Sequence, residues 1–436
     1  MLKSYFIKYK IKFLPLILLE GYLLFTLLIL VFGPVKFNLH SKYEFWLLIL
    51  FYHIFLILGY VIGITLNKSN IIINKIFSLK YFLVLFFFGI ISILVSYKNL
   101  MNSDSLIPFN FFNDLIRGFN EPAEVYVERM SEVVYEGAGK SRLLNVFFIF
   151  FAFSKLLFIF YSVWFWKFLN SPLKLLTFLY CFFYISPSIS AGVNSILFLF
   201  IFFIFSSFLV VYFLFHREKL KKLLFKLSFL FLIPILSFGN IMSTRGGSFD
   251  YFVNSSSIGD ISVDVNDLDY TSLNFVNSIY YASVWIDFYL VQGYYGFSLI
   301  LDKEFKWTYG FGNSVFLQRQ FNLLTGIDVS SLTYQRRNDN IWGENSMWHS
   351  FYGQFANDFS PYGLVFLMFL LGMFLAIIWK SVIIRNSFFG AALLPMFIIM
   401  FIFFPANNQV FGYIDSLSYF TIISTLWFFE NFKFKI

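Results

Sequence analysis

Cysteine is almost absent from this chain. Cys181 is the single one in 436 residues, and it sits in an apolar run. That excludes a disulfide framework within the chain and any multi-cysteine metal site. Charge is scarce as well: 13% of residues are Asp, Glu, Lys or Arg, against 59% hydrophobic, and the mean hydropathy is +0.74. A soluble chain of this length has no way to bury that much apolar surface, so the composition indicates a polytopic membrane protein. Several signatures are missing too. Without a Gly-x-x-x-x-Gly-Lys-Ser/Thr loop there is no phosphate cradle for ATP-driven transport. There is no His-Glu-x-x-His of the zincin type, no Gly-x-Ser-x-Gly elbow and no regular Asp-x-Asp-x-Asp-Gly calcium loop. No cleavable signal peptide is evident; the first apolar segment is long, lacks a small-residue cleavage site and reads as a retained anchor. What is abundant is Phe, with 68 residues. Ile, Lys and Asn are abundant beside it, which is the bias of an AT-rich genome and not an aromatic ligand site.

Crossing the hydrocarbon takes roughly 20 apolar residues as a helix. About ten segments qualify on that criterion, at 13–32, 45–66, 81–97, 143–166, 175–193, 195–215, 227–242, 361–379, 388–406 and 412–429. The seventh is short and contains Pro234 and Gly239, and the tenth carries Asp415 in its first turn. With both termini cytoplasmic, the inner segments collect most of the cations: Lys3 to Lys12, Lys68 to Lys80, Lys167 and Lys174, Arg217 to Lys226, Lys380 and Arg385, Lys433 and Lys435. Only Glu218 and Glu430 oppose them. The net charge of +8 is then the difference between a strongly basic inner face and acidic outer loops, as the positive-inside rule requires. A basic pI needs no nucleic acid; the bias and attraction to anionic lipid account for it. Glu20, inside the first span, is costly in lipid unless it faces a cavity or a partner. Pairing with Lys155 in the fourth span and contact with a polyprenyl-linked substrate are the two expectations for it.

Two outer loops stand out. In 98–142, Glu121, Glu124, Glu128, Glu132 and Glu136 recur at spacings of three and four and share one helical face. Pro122 suits a first turn, and Gly137 and Gly139 an end. The face reads either as solvated surface or as a dock for a basic partner or divalent cation. The second loop, 242–360, is polar, acidic and Gly-rich, and begins at Thr244-Arg245-Gly246-Gly247. Residues 248–272, with Ser255, Ser256, Ser257, Asp260, Asp264, Asp267 and Asp269, read as a flexible acidic linker. The Tyr- and Trp-rich stretch 273–301 predicts helix lying at the membrane interface or in a groove, with Gln292-Gly293-Tyr294-Tyr295-Gly296 as a turn between two short helices. A further short helix is expected at 310–326. Residues 327–347 are polar and irregular. Trp348-His349-Ser350 and Asn357-Asp358-Phe359-Ser360-Pro361-Tyr362-Gly363 then lead into the eighth span.

These features resemble bacterial oligosaccharide repeat-unit polymerases of the Wzy type. The resemblance rests on about ten spans, a large external loop before the last few, Arg245-Gly246 at the start of that loop, Tyr294-Tyr295-Gly296-Phe297-Ser298-Leu299, and the Asn357-Asp358-Phe359 entry into the next helix. His349-Ser350 is similar to the His and small polar residue of the related O-antigen ligases. The common family form is Asp-Phe-Gly; here Ser360-Pro361 replaces the Gly. The resemblance implies an all-α polytopic protein of the bacterial cytoplasmic (inner) membrane, with one large extracytoplasmic loop carrying short interfacial helices. It implies a glycosyltransferase that joins undecaprenyl-pyrophosphate-linked oligosaccharide units into O-antigen or capsular polysaccharide, with neither metal nor cofactor. Its partners would be the lipid-linked oligosaccharide, membrane lipid, a chain-length regulator protein and a flippase, without nucleic acid.

Such a reaction needs fixed cations for the departing pyrophosphate, and Arg binds phosphate oxygens in pairs. It also needs a base for the attacking hydroxyl. Arg245, just outside the seventh span, is placed for the first role, or is a snorkelling interfacial Arg. Arg319 is a second phosphate contact or a surface charge, and Arg336 and Arg337 are either substrate contacts or solvated. Tyr281 and Tyr295 are the candidate aromatic contacts. His349 is the base or a hydroxyl-orienting group, or a structural His at a helix start. Asp358 caps span eight or binds the acceptor. Two alternatives remain: an O-antigen ligase using the same donor, and a flippase or transporter of the same lipid-linked sugar. A transporter would show two comparable halves and ionisable groups at mid-membrane. The halves of this sequence differ.

Overall fold

The computed structural model describes residues 2–66, 76–101, 103, 105–122, 124–128, 150–222, 224–225, 261–263, 275–344 and 347–431. The described chain is mostly helical. Among the described residues the α-helices with defined bounds run in order: α1 (Leu2–Phe32), α2 (Lys42–Thr65), α3 (Leu79–Leu100), α4 (Phe111–Asn120), α5 (Phe153–Trp164), α6 (Ser171–Ser190), α7 (Asn194–Phe215), α8 (Phe275–Ser298), α9 (Val315–Thr325), α10 (Tyr334–Arg337), α11 (Phe351–Arg385), α12 (Phe388–Phe403) and α13 (Ile414–Asn431). Among the described residues six helices are long and apolar enough to cross a membrane: α1 from Ile11, α2, α3, α6, α7 from Ile196, and α11. α5 and α12 are shorter apolar helices. This architecture fits an all-α, multi-pass membrane protein. The expected span 227–242 lies outside the described residues.

The chain divides into two compact units. The first contains residues 1–70, 224–380 and 400–413. Its α2 and α11 approach closely because Gly59 and Gly63 face Gly372. A Cβ on Gly59 would stand 1.9 Å from the Phe369 carbonyl oxygen, and one on Gly372 would stand 2.1 Å from that of Leu56. Small residues four apart let two helix backbones meet in this way where lipid offers no hydrophobic drive. α11 is two helices joined at a kink: Ser360 has φ 62° and ψ 162°, a region that glycine occupies far more readily than any L-residue. Ser360 Oγ accepts a hydrogen bond from the Gly363 N–H at 3.1 Å, and Pro361 follows at the first helical position, where a missing N–H costs nothing. The second helical half thus starts at Pro361, the residue at which the apolar run begins in the sequence.

Two expectations for the large loop change. Residues 261–263, within the expected linker, form a strand β2 (Ile261–Val263) that pairs antiparallel with β1 (Val35–Phe37), Lys36 opposite Ser262. The remainder of 248–272 lies outside the described residues. The stretch 292–296 is not a turn; α8 runs unbroken through it. Its glycines serve close approach instead. A Cβ on Gly293 would lie 2.4 Å from the Pro405 carbonyl oxygen and 2.6 Å from the Ser350 nitrogen, and one on Gly296 would lie 3.0 Å from Trp342 Nε1. α8 is correspondingly buried, with Val284, Trp285, Phe288, Tyr295 and Leu299 packed around Val35 and Trp342.

The second unit holds residues 71–223, 381–399 and 414–436. Aromatic packing dominates it, with Phe158 against Tyr180 at 4.2 Å and against Phe82 at 4.9 Å between ring centroids. Of the acidic face expected at 121–136, Glu121 and Glu128 flank Arg117, at 3.6 and 2.7 Å, on an exposed surface; residues 129–149 lie outside the described residues.

Candidate functional site

The polar chain between α8 and α11 is knotted onto the start of α11 by two adjacent side chains. Asn357 Oδ1 accepts the Tyr334 N–H at 2.8 Å. Its Nδ2 donates to Gln335 Oε1 at 2.7 Å and to the Gly312 carbonyl at 3.1 Å. Asp358 Oδ1 accepts from Thr308 Oγ1 at 2.5 Å and the Gly312 N–H at 3.0 Å, and Oδ2 accepts from Asn313 Nδ2 at 2.8 Å and the Asn313 N–H at 3.1 Å. Four donors on one buried carboxylate define a structural anchor, because each would be orphaned by its loss. Asp358 therefore does not cap the helix after the kink: its oxygens are taken by residues 308–313, and Ser360 Oγ accepts the Gly363 N–H there. The helix before the kink starts at Phe351, where Ser350 Oγ accepts the Gly353 N–H at 3.2 Å. The Ser half of the His349-Ser350 pair is thus that helix's cap.

This anchor positions α9 and α10, and with them three arginines. α9 is capped by Ser314, whose hydroxyl accepts the Leu317 N–H, and is closed by Gly326 at φ 75°. Arg319 is exposed on α9, and no partner for it occurs among the described residues. Arg336, on α10, lies 3.0 Å from Glu344 Oε2. Arg337 donates to the Glu304 carbonyl at 2.9 Å and covers the Tyr334 ring at 4.8 Å. Burial pushes the Glu344 carboxyl up, and the Arg336 charge opposes it.

His349 is 5% exposed. Its Nδ1 lies under Gly296, 3.5 Å from where a Cβ would be. Its Nε2 is buried and has no hydrogen-bond partner. Burial pushes the imidazole down to about 4; a hydrogen bond to the Gly343 backbone and the Asp339 charge work the other way. At neutral pH the ring is uncharged, with the Gly343 bond leaving Nε2 as the acceptor nitrogen. Trp348, beside it, is held by Gln292 Oε1, which accepts the Trp348 N–H at 3.1 Å.

No family model, curated protein or solved structure matches the chain. Arg336 and Arg337 lie on α10, which Asn357 ties to the start of α11 beside Asp358, whereas Arg319 is exposed on α9. Tyr295 belongs elsewhere: it is 0% exposed, enclosed by Phe37, His40 and Trp342, which makes it core and not a binding surface. Tyr281 lies in the second turn of α8. Arg245 lies outside the described residues. Among the described residues no group of three His, Cys, Asp or Glu is disposed to hold a metal ion.

Sequence reasoning missed Asp287. Its Oδ2 accepts the Val35 N–H at 2.8 Å, Oδ1 has no partner, and burial pushes its carboxyl up to about 6, with Val35 and Lys36 acting against that. Its partners lie some 250 residues away, so no local pattern announces it. Sequence reasoning also mispaired the intramembrane charges. Glu20 pairs with His53 at 2.6 Å. Lys155 pairs with Asp415 at 2.5 Å and donates to Ser96 Oγ at 2.7 Å.

Proposed function

We propose that this protein is a polyprenyl-pyrophosphate-dependent glycosyltransferase that polymerises lipid-linked oligosaccharide repeat units on the outer face of the bacterial cytoplasmic membrane. The reading includes about ten spans, with both termini inside. The observation that carries it is His349: a neutral imidazole with an unused acceptor nitrogen, in the same polar excursion as three arginines at or near the surface. In the proposed step an acceptor hydroxyl attacks the anomeric carbon of a second unit. A carbon–oxygen bond forms there as the bond to pyrophosphate breaks. His349 Nε2 takes or orients the hydroxyl proton, and guanidinium groups of Arg245 and Arg319, with Arg336 and Arg337 as further contacts, meet the phosphate charge. Asp358 keeps the arginine-bearing segments in place.

Deleting the gene and resolving surface glycan on a gel tests this. Single repeat units on lipid A core support the polymerase. Full-length polymer retained on its polyprenyl carrier would instead make it a ligase. The second reading, a transporter of the same lipid-linked sugar, is favoured by two buried ion pairs in apolar helices, Glu20–His53 and Lys155–Asp415. It predicts loss of all surface sugar, with lipid-linked units trapped inside.

A further inference from the structure

α1 and α2 meet through ionisable side chains about midway along each apolar span. Glu20 Oε2 and His53 Nδ1 are 2.6 Å apart, with side chains only 13% and 10% exposed. An acid at that depth is costly unless it has a partner, and partnered ones mark proton and ion paths more often than they stabilise a fold. The surroundings separate the two roles. Tyr22, Tyr52 and Tyr294 are the titratable neighbours from α1, α2 and α8, and each hydroxyl is used. Tyr22 donates to the Ile402 carbonyl at 2.6 Å, Tyr52 to that of Pro361 at 2.5 Å, and Tyr294 shares a hydrogen bond with Thr26 Oγ1 at 3.0 Å. Residues 400–413 bring no charged side chain. Against this satisfied background three buried atoms are left without a partner: Glu20 Oε1, His53 Nε2 and the hydroxyl of Tyr352 on α11. Tyr294 and Tyr352 both lie within electrostatic reach of Glu20. Buried polar atoms are nearly always paired, so three open positions around one acid–imidazole contact need a reason.

We propose that Glu20 and His53 form an intramembrane proton-binding site. With one proton on their short contact and both outer atoms bare, the pair carries one negative charge. A second proton, delivered from water, forms an O–H bond at Glu20 Oε1 or an N–H bond at His53 Nε2, the two open positions. The pair is then electroneutral, the state that low-dielectric surroundings favour, until that proton leaves by the same or the opposite side. No heavy-atom bond changes. This site serves proton coupling in a transporter, or sets a charge at mid-membrane in a transferase, so it stands whichever reading of the function holds.

The test uses the full-length protein in lipid nanodiscs, labelled with nitrogen-15 at histidine only. The chain has four histidines, and the signal lost in His53→Gln identifies His53. A His53 signal that titrates between about pH 5 and pH 8, with its midpoint lowered tenfold or more in proton affinity by Glu20→Gln, establishes the site. A His53 signal that stays constant over that range, or a midpoint untouched by Glu20→Gln, overturns it. Should Glu20→Gln fail to fold, infrared difference spectra of the wild type across the same range decide. A carboxyl-stretch change that disappears in His53→Gln supports the site, and the lack of such a change refutes it.

Discussion

Burial acts on His349 and Asp287 in opposite senses, and the consequences are measurable. His349 is held at about 4, below the ordinary imidazole value. The unfolded chain therefore binds its proton more readily, and stability is lost as pH falls from about 6.5 to about 4. Asp287 is held at about 6, above the ordinary carboxylate range. Its protonated form stabilises the fold fully below about pH 4, and that contribution is lost as pH rises through about 6. Each effect is worth about 3 kcal/mol, so they offset one another in the wild type. Asp287→Asn is expected to make thermal stability rise more steeply between about pH 4 and pH 6.5, whereas His349→Gln is expected to make it fall; melting temperatures against pH in detergent would check both. In cells, His349→Gln should cut polymer formation by about 10²–10⁴ at normal protein level. Wild-type chain lengths in that variant would remove His349 from the proposed chemistry. Asp358→Asn sets an amide against groups that already donate, and a loss of about 2–3 kcal/mol in stability is expected. His349 was legible in the sequence as one of few histidines, beside a helix start. The partners that make Asp358 an anchor were not, because they come from turns 45 and more residues away.

Helices show a similar division. Apolar runs placed α2, α3, α6, α7 and the apolar part of α1 from Ile11 within a few residues, since length and hydropathy are local properties. Gly326 closing α9 and Pro361 opening the apolar half of α11 were equally visible. Glycines within α8 were misread, because Gln292-Gly293-Tyr294-Tyr295-Gly296 carries the composition of a turn. What decides the matter is the backbone of Pro405 and Ala406 against Gly293, which no local rule contains. Ser360 gives the most direct test at this scale. A β-branched residue fits its backbone angles poorly, so Ser360→Val should cost roughly 1–3 kcal/mol. Ser360→Gly relieves the backbone while losing only the Oγ cap on Gly363, and should leave the melting temperature unchanged or higher. If Ser360→Val melts like the wild type, the kink is not a strained joint.

At the scale of the first unit, the ends of its helices sort by chemistry. Lys380 Nζ donates to the Ile64 carbonyl at 3.0 Å and the Leu66 carbonyl at 2.5 Å, at the C-terminus of α2, where a cation complements the helix dipole. Trp379 Nε1 reaches the Ile11 carbonyl and the Tyr60 hydroxyl reaches that of Lys12, so the start of the apolar part of α1 and the ends of α2 and α11 share one side. At the other side β1 pairs with β2, Ser41 Oγ donates to Asp302 at 2.5 Å, and the Tyr362 hydroxyl bonds Glu44. The short connection after α1 and the large polar loop are therefore built together, on the side opposite the Lys12 and Lys380 cluster. Counting of Lys and Arg had assigned these two ends to the cytoplasm and the exterior, a distinction that rests on charge alone and so is readable without coordinates. Its test exploits the single cysteine. In a Cys181→Ser background, Lys306→Cys should react with a membrane-impermeant maleimide in intact spheroplasts, and Leu66→Cys should react only after permeabilisation. Both positions are exposed, so their reactivity reports sidedness and not burial. Labelling of Leu66→Cys from outside would invert the orientation, and would place His349 and its arginines where no lipid-linked sugar is presented on the outer leaflet.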